Sequence, residues 1–220
     1  MPFIDIHCHL DLCPDLPGII GRGRAANVSI ILTQGVNAES NRKPLEFAAH
    51  YKEVRAAIGL YPIDAISMSD ADVYKELQFI RECRKEISAI GEIGMDFKED
   101  EKQRDRQKYI FNKLILLAQE LDKPMIVHSR KAEKECIELL ENSRARKVIM
   151  HCFCGAWKLV ERIQRNEWFL SIPTNVTYAQ QFQRMAKVLP LTMLFCETDS
   201  PFLHPSKESN NEPALVVESY

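Results

Sequence analysis

Eight short β-rich segments recur along the chain, each closing on polar or turn residues. They are FIDIHCH (3–9), SIILTQG (29–35), RAAIGLYP (55–62), ISAIGEIGMD (87–96), PMIVHSR (124–130), KVIMHCF (147–153), WFLSIPTN (168–175) and MLFCETDSP (193–201). Their spacing is that of a strand plus a helix. The intervals supply the helices. RDRQKYIFNKLILLAQELD (104–122) places Ile110, Phe111, Leu114, Ile115, Ala118 and Leu121 on one stripe, with Arg and Lys opposite. Ser69 reads as the N-cap of another, with Val73, Leu77 and Ile80 along its apolar face, and KAEKECIELLEN and AWKLVERIQRN behave similarly. Strand and helix alternating eight times imply a parallel sheet, because parallel strands need crossover connections, and eight such units close into a (β/α)8 TIM barrel. The competing open, doubly wound sheet usually carries a Gly-rich phosphate loop after its first strand, where this chain has HCHLDL. A 45% hydrophobic content over 220 residues is enough for such a core, and residues 1–220 are assigned to one barrel.

Within FIDIHCHLD, strict period-two alternation sends Ile4, Ile6, Cys8 and Leu10 to one face and Asp5, His7, His9 and Asp11 to the other. A barrel interior explains the second set: the odd residues of the first strand point inward, and His7 and His9 fall at its C-terminal mouth, where barrels of this kind place their chemistry. Other strands end alike, in Glu92 within GEIGMD, His128, His151, and Asp199 within ETDSP. Taken singly, a His after an apolar strand is more often a hydrogen-bonded core residue, Glu92 an ion-pair partner and Asp199 a turn cap. Four of the six histidines at equivalent positions of separate units point instead to a metal centre. Four imidazoles and two carboxylates suffice for two divalent ions if one carboxylate bridges.

Composition narrows the class. A net charge of −2 and a pI near 6.3 argue against coating nucleic acid through bulk charge, but not against a nuclease, which needs positive charge only locally. The longest apolar runs are strand-sized, so no membrane span is expected, and the N-terminus carries no signal-peptide pattern. Seven cysteines without zinc-finger spacing read as reduced thiols of a cytoplasmic protein.

DIHCHLD, GEIGMD, PMIVHSR, HCFCG and ETDSP stand in the order and approximate spacing of the TatD-like metal-dependent hydrolases, the TatD DNase family of the amidohydrolase-like barrels, and the resemblance runs from Ile4 to about Pro213. It implies a two-metal site in which His7, His9 and Asp199 hold one ion, His128 and His151 the other, and Glu92 bridges. It also implies a nuclease dependent on Mg or Mn, often a 3′-to-5′ exonuclease on DNA, in which Zn, Ni or Co can occupy the site as purified. Asp199 would handle the proton of the attacking water. Arg130 could hold a phosphate, its bland reading being a surface ion pair.

Three departures stand out. Where relatives show a GxHP-like motif this chain has Gly59-Leu60-Tyr61-Pro62, so a phenol replaces an imidazole; Tyr61 can still donate a hydrogen bond or stack on a base. Cys154 takes a usual serine position. The usual Arg-Asn-Glu-Pro loop reads Asn210-Asn211-Glu212-Pro213, and the last barrel helix is cut to ALVVESY. That shortening leads to an expected apolar patch around Ile4, Ile6 and Phe195, covered by Leu215-Val216-Val217 or by a second subunit in a homo-oligomer. His204 lies near enough to strand eight to touch substrate. His50, Trp157 and Trp168 are packing or surface positions, and the Arg104/Arg106/Lys108 and Arg144/Arg146/Lys147 clusters are solvated faces able to meet a nucleic-acid backbone. Two rival readings keep the barrel: hydrolysis of an ester, amide or lactone by the same activated water, and a non-catalytic metal-binding protein.

Overall fold

The structure, a computed structural model, describes residues 2–207 and 210–220. Its strands are β1 (Phe3–Cys8), β2 (Val28–Gln34), β3 (Val54–Ile58), β4 (Ile87–Asp96), β5 (Met125–Arg130), β6 (Val148–Met150), β7 (Phe169–Pro173) and β8 (Leu194–Glu197). All are parallel and pair in sequence order. Helices α1 (Leu16–Ala25), α2 (Arg42–His50), α3 (Pro62–Ile66), α4 (Asp70–Glu82), α5 (Phe97–Asp100), α6 (Arg104–Glu120), α7 (Glu133–Asn142), α8 (Trp157–Arg165) and α9 (Gln180–Val188) fill the crossovers. This is the (β/α)8 barrel the alternation implies. Ser69 caps α4 as its sequence indicates, its Oγ accepting from the amide of Asp72 at 3.1 Å. All seven cysteines are free thiols. No helix among the described residues is long and apolar enough to cross a membrane.

The barrel is nearly closed. No strand ladder joins β8 to β1 among the described residues, and the seam is tied at the mouth instead. Thr198 donates its amide to Asp5 Oδ1 at 2.9 Å and its hydroxyl to Oδ2 at 2.6 Å. The Asp199 amide then donates to the His7 carbonyl at 2.9 Å, and the His9 amide to Ser200 at 2.8 Å. These bonds bring Asp199 beside the two first-strand histidines.

Strict alternation along β1 does not hold. Ile6 packs with Leu32, Ala57, Ala89, Ile126 and Ile149, one side chain from each of the first six strands, with Ile4, Phe169 and Phe195 against them. That ring fills the barrel interior. Cys8 and Leu10 instead join Ile19 and Ile20 of α1 outside the sheet. The pairing explains the change of phase: Asp5 opposes Ile31 and Cys8 opposes Thr33, so β1 spends three residues where β2 spends two. Such a bulge re-aims the side chains beyond it. β4 does the same, Ile90 pairing with Met125 and Ile93 with Val127, which places Gly91 and Glu92 in the irregular step. Glycine is required there, since a Cβ on Gly91 would lie 2.6 Å from Ile126 Cβ and 2.9 Å from Gln34 Oε1. Two of the strands that carry candidate ligands are therefore bulged beside those residues.

The expected exterior patch is also corrected. Ile6 is buried inside the barrel, with Ile4 and Phe195 beside it, so the short C-terminus does not uncover an outer face made of these residues. A 3₁₀ segment, Pro213–Ser219, follows β8, and its Val216 is fully buried in the cluster of Cys8, Leu10 and Ile19. The Tyr220 ring meets Phe3 at 4.9 Å between centroids, and its hydroxyl bonds to both the amide and the carbonyl of Ile4. Of the two covers expected, the Leu215-Val216-Val217 segment is the one the structure shows, through Val216.

Candidate metal centre

Six side chains from five strand ends meet at the C-terminal mouth. His7 Nε2 and His9 Nε2 lie 3.3 Å apart. Each is 3.6 Å from Asp199 Oδ1, and they are 3.7 and 3.5 Å from Glu92 Oε2. Most of these separations exceed good hydrogen bonds. They match the edges of a coordination polyhedron: ligands about 2.0–2.1 Å from a tetrahedral ion sit roughly 3.3–3.4 Å from one another. His7 is fully buried, and among the described residues its Nδ1 has no hydrogen-bond partner. Burial, aided by the charge of His151, holds the His7 imidazole well below its usual range, which keeps a lone pair available to a cation. The donor set fits a divalent metal.

The other oxygen of Glu92 faces the opposite way. Oε1 lies 2.9 Å from His128 Nδ1 and 3.5 Å from His151 Nε2. Burial alone would raise the Glu92 carboxyl, but His128 and His151 outweigh it and hold it well below the usual carboxylate range. The His7 and His151 rings stack at 3.8 Å. Two groups of donors come close enough to share an ion: His7 with His9 and Asp199, and His7 with Glu92 and His151. His128 stands at the edge of the second group, hydrogen-bonded at both nitrogens, to Glu92 and to Asp96 at 3.1 Å.

Two supporting carboxylates went unassigned in the sequence reading, although both lie inside motifs it singled out. Glu197, fully buried at the end of β8, accepts from His151 Nδ1 at 3.3 Å and from the Cys152 amide at 3.0 Å. A ring whose far nitrogen is fixed this way presents Nε2 in one orientation. Burial opposes charge on His151, but Glu197 and then Glu92 raise it well above the usual imidazole value. Asp96 does the same service for His128, and also accepts from the Tyr61 hydroxyl at 3.0 Å and caps α5 through the amides of Lys98 and Glu99. The signal available in sequence was a second carboxylate in each motif, Asp96 four residues after Glu92 and Glu197 two before Asp199; its partner becomes visible only when the fold brings Asp96 to His128 and Glu197 to His151.

The substrate candidates divide. Tyr61 lines the mouth, but its hydroxyl is engaged by Asp96, so it offers mainly its ring. Arg130 lines the same cavity and pairs with Glu99 at 3.1 Å and Asp96 at 3.6 Å. His204 does not line it; its Nδ1 accepts from the Ser206 amide within its own loop.

An eight-stranded α/β barrel with buried imidazoles and carboxylates gathered at its C-terminal mouth defines the metal-dependent hydrolase class. The TatD related DNase family model matches residues 4–220, and the chain belongs to that family. It is 34% identical over 223 residues to the uncharacterized metal-dependent hydrolase YabD of Bacillus subtilis, covering 96% of this chain and 86% of that one. It is 32% identical over 226 residues to human deoxyribonuclease TATDN3, covering 96% and 82%. The crystal structure of the TatD homologue YJJV from Escherichia coli superposes with a TM-score of 0.91 at 28% identity, covering 98% of this chain and 87% of that one.

Proposed function

We propose that this metal-dependent hydrolase is a deoxyribonuclease that cleaves phosphodiester bonds, removing nucleotides 3′ to 5′ from single-stranded DNA or 3′ ends. The observation that carries the reading is the span of Glu92, one oxygen toward His7 and His9 and the other toward His128 and His151. The family description and the name of the human relative support a nucleic-acid substrate.

His7, His9 and Asp199 would hold one divalent ion and His151 with His128 a second, with Glu92 reaching both. Magnesium or manganese would serve in function, while four imidazoles also accept zinc, nickel or cobalt. Bound there, two such ions lower the pKa of a water and neutralise charge developing on a phosphoryl oxygen. Asp199 orients the attacking water and accepts its proton. Its backbone stands at φ 55°, with its amide donating a hydrogen bond to the His7 carbonyl. Arg130 holds a phosphate oxygen at the rim. Glu197 and Asp96 keep the His151 and His128 rings from turning.

A 5′-labelled single-stranded oligonucleotide tests this. Protein stripped with EDTA should be silent, and added magnesium or manganese should restore a ladder that shortens from the 3′ end. Hydrolysis undiminished by EDTA overturns the reading. So does metal-loaded protein that opens a carboxylic ester or amide but cleaves no phosphodiester.

A further inference from the structure

We propose that Phe202 and Leu12 form a clamp that holds one nucleobase at the rim of the metal centre by stacking and apolar contact. The proposal rests on the nuclease reading above and names the part of the substrate recognised there. Phe202 is 53% exposed and Leu12 55%, two large apolar side chains standing in solvent. Both line the cavity of about 420 Å³ that His9, Glu92 and Asp199 also line. That volume lies toward the lower end for ligand sites and gives room for one nucleotide unit.

Neither side chain is exposed because its backbone is loose. The Phe202 amide donates to the Asp199 carbonyl at 2.8 Å, and its own carbonyl accepts from Asn211 Nδ2 at 2.7 Å. The Leu12 amide donates to His9 at 3.1 Å in a short 3₁₀ turn anchored by Leu10, which is 1% exposed. Each apolar group is thus fixed to a turn that begins at a ligand residue. The Phe202 ring lies 6.3 Å from the His9 ring, between centroids. A phosphate held at the cluster would place its adjoining nucleoside in this cavity, and a base has an apolar face to offer the aromatic ring.

No Asn, Gln, Ser or Thr lines this cavity among the described residues, while Asp11, whose buried Oδ1 has no hydrogen-bond partner among them, offers an acceptor only. The Tyr61 hydroxyl is committed to Asp96, and Arg130 is paired with Glu99. Stacking without hydrogen-bond readout is tolerant of sequence.

The test compares Phe202→Ala, Phe202→Trp and unmutated protein on two single-stranded oligonucleotides, one intact and one whose 3′-terminal residue is abasic. By the usual worth of base stacking, Phe202→Ala should raise KM for the intact strand roughly 5- to 150-fold, with little change on the abasic strand, and Phe202→Trp should recover most of the loss. Magnesium-loaded Phe202→Trp, read against unmutated protein, should show fluorescence quenching by deoxyadenosine monophosphate and none by deoxyribose 5-phosphate. Equal KM losses on both strands, an unchanged KM on the intact strand, or no quenching overturns the clamp while leaving the nuclease reading standing. Quenching by the nucleotide in a protein that cleaves neither strand overturns the nuclease reading and keeps the ring as a base-binding group.

Discussion

Replacing Glu197 with Gln isolates one of the supports of the metal centre. The side chain is fully buried, and Gln matches its volume, so no cavity opens. What changes is charge and the balance of donors. Glu197 Oε1 accepts from His151 Nδ1 at 3.3 Å and the Cys152 amide at 3.0 Å, while Oε2 lies 3.4 Å from the same Nδ1. A Gln oxygen at the Oε1 position still accepts from the Cys152 amide and faces Nδ1, but its NH2 then stands where Oε2 did, 3.4 Å from Nδ1–H, one donor against another. The imidazole then loses its negative partner, and one of its two contacts to that side chain turns repulsive. Supports of this kind are typically worth 10- to 100-fold in metal affinity, about 1.4–2.7 kcal/mol. The loss should fall on the ion held by His151 and spare the one held by His7, His9 and Asp199. Stripped protein would be equilibrated with manganese against a competing chelator, and metal per chain counted by mass spectrometry across free-metal concentration. Glu197→Gln should show one site at unmutated affinity and one weakened 10- to 100-fold, with circular dichroism unchanged. Two sites at unmutated affinity, or equal weakening of both, would refute the reasoning.

The other expectations are briefer. Asp199→Asn can still offer an oxygen to a cation but cannot take a proton, so turnover should fall about 10²- to 10⁴-fold while most metal is retained; an unmutated rate would remove Asp199 from proton transfer. Arg130→Ala should raise KM about tenfold with kcat nearly unchanged, because Arg130 is half-exposed and shared with Glu99, and Lys should recover only part; a fall in kcat alone would show that it acts in the chemical step. Val216→Ala removes two buried methyl-sized groups from the C-terminal plug, so stability should drop by about 2 kcal/mol and the thermal midpoint by roughly 4–8 °C; an unchanged midpoint would mean the segment does not seal that side of the barrel.

Much of this molecule was legible before folding was considered. Strand-plus-helix spacing was enough for the barrel, helped at α4 by the cap signal of Ser69. The six candidate ligands were legible because each lies in the C-terminal half of a strand or just beyond it, and the fold gathers those halves at one mouth. The bulges at Asp5–Cys8 and at Gly91–Glu92 were not, since they are properties of pairing with β2 and β5 rather than of either segment alone. Period-two reasoning therefore placed Ile4 and Ile6 on the wrong side of the sheet. Glu197 and Asp96 were printed inside motifs, but a buried carboxylate declares its role only through the imidazole it meets, 46 and 32 residues away. Tyr61 shows the same limit: its sequence allowed a free hydroxyl at the mouth, and the fold commits that hydroxyl to Asp96.

The central claim is that the six strand-end residues form one divalent-metal centre. Crystals grown with manganese, with anomalous difference density collected above the manganese edge, test it most directly. The account predicts two peaks at the barrel mouth, about 3.5–4 Å apart, one among His7, His9 and Asp199 and the other beside His151 and His128, with Glu92 touching both. No peak at the mouth at saturating manganese, or peaks bound only by other residues, would contradict it.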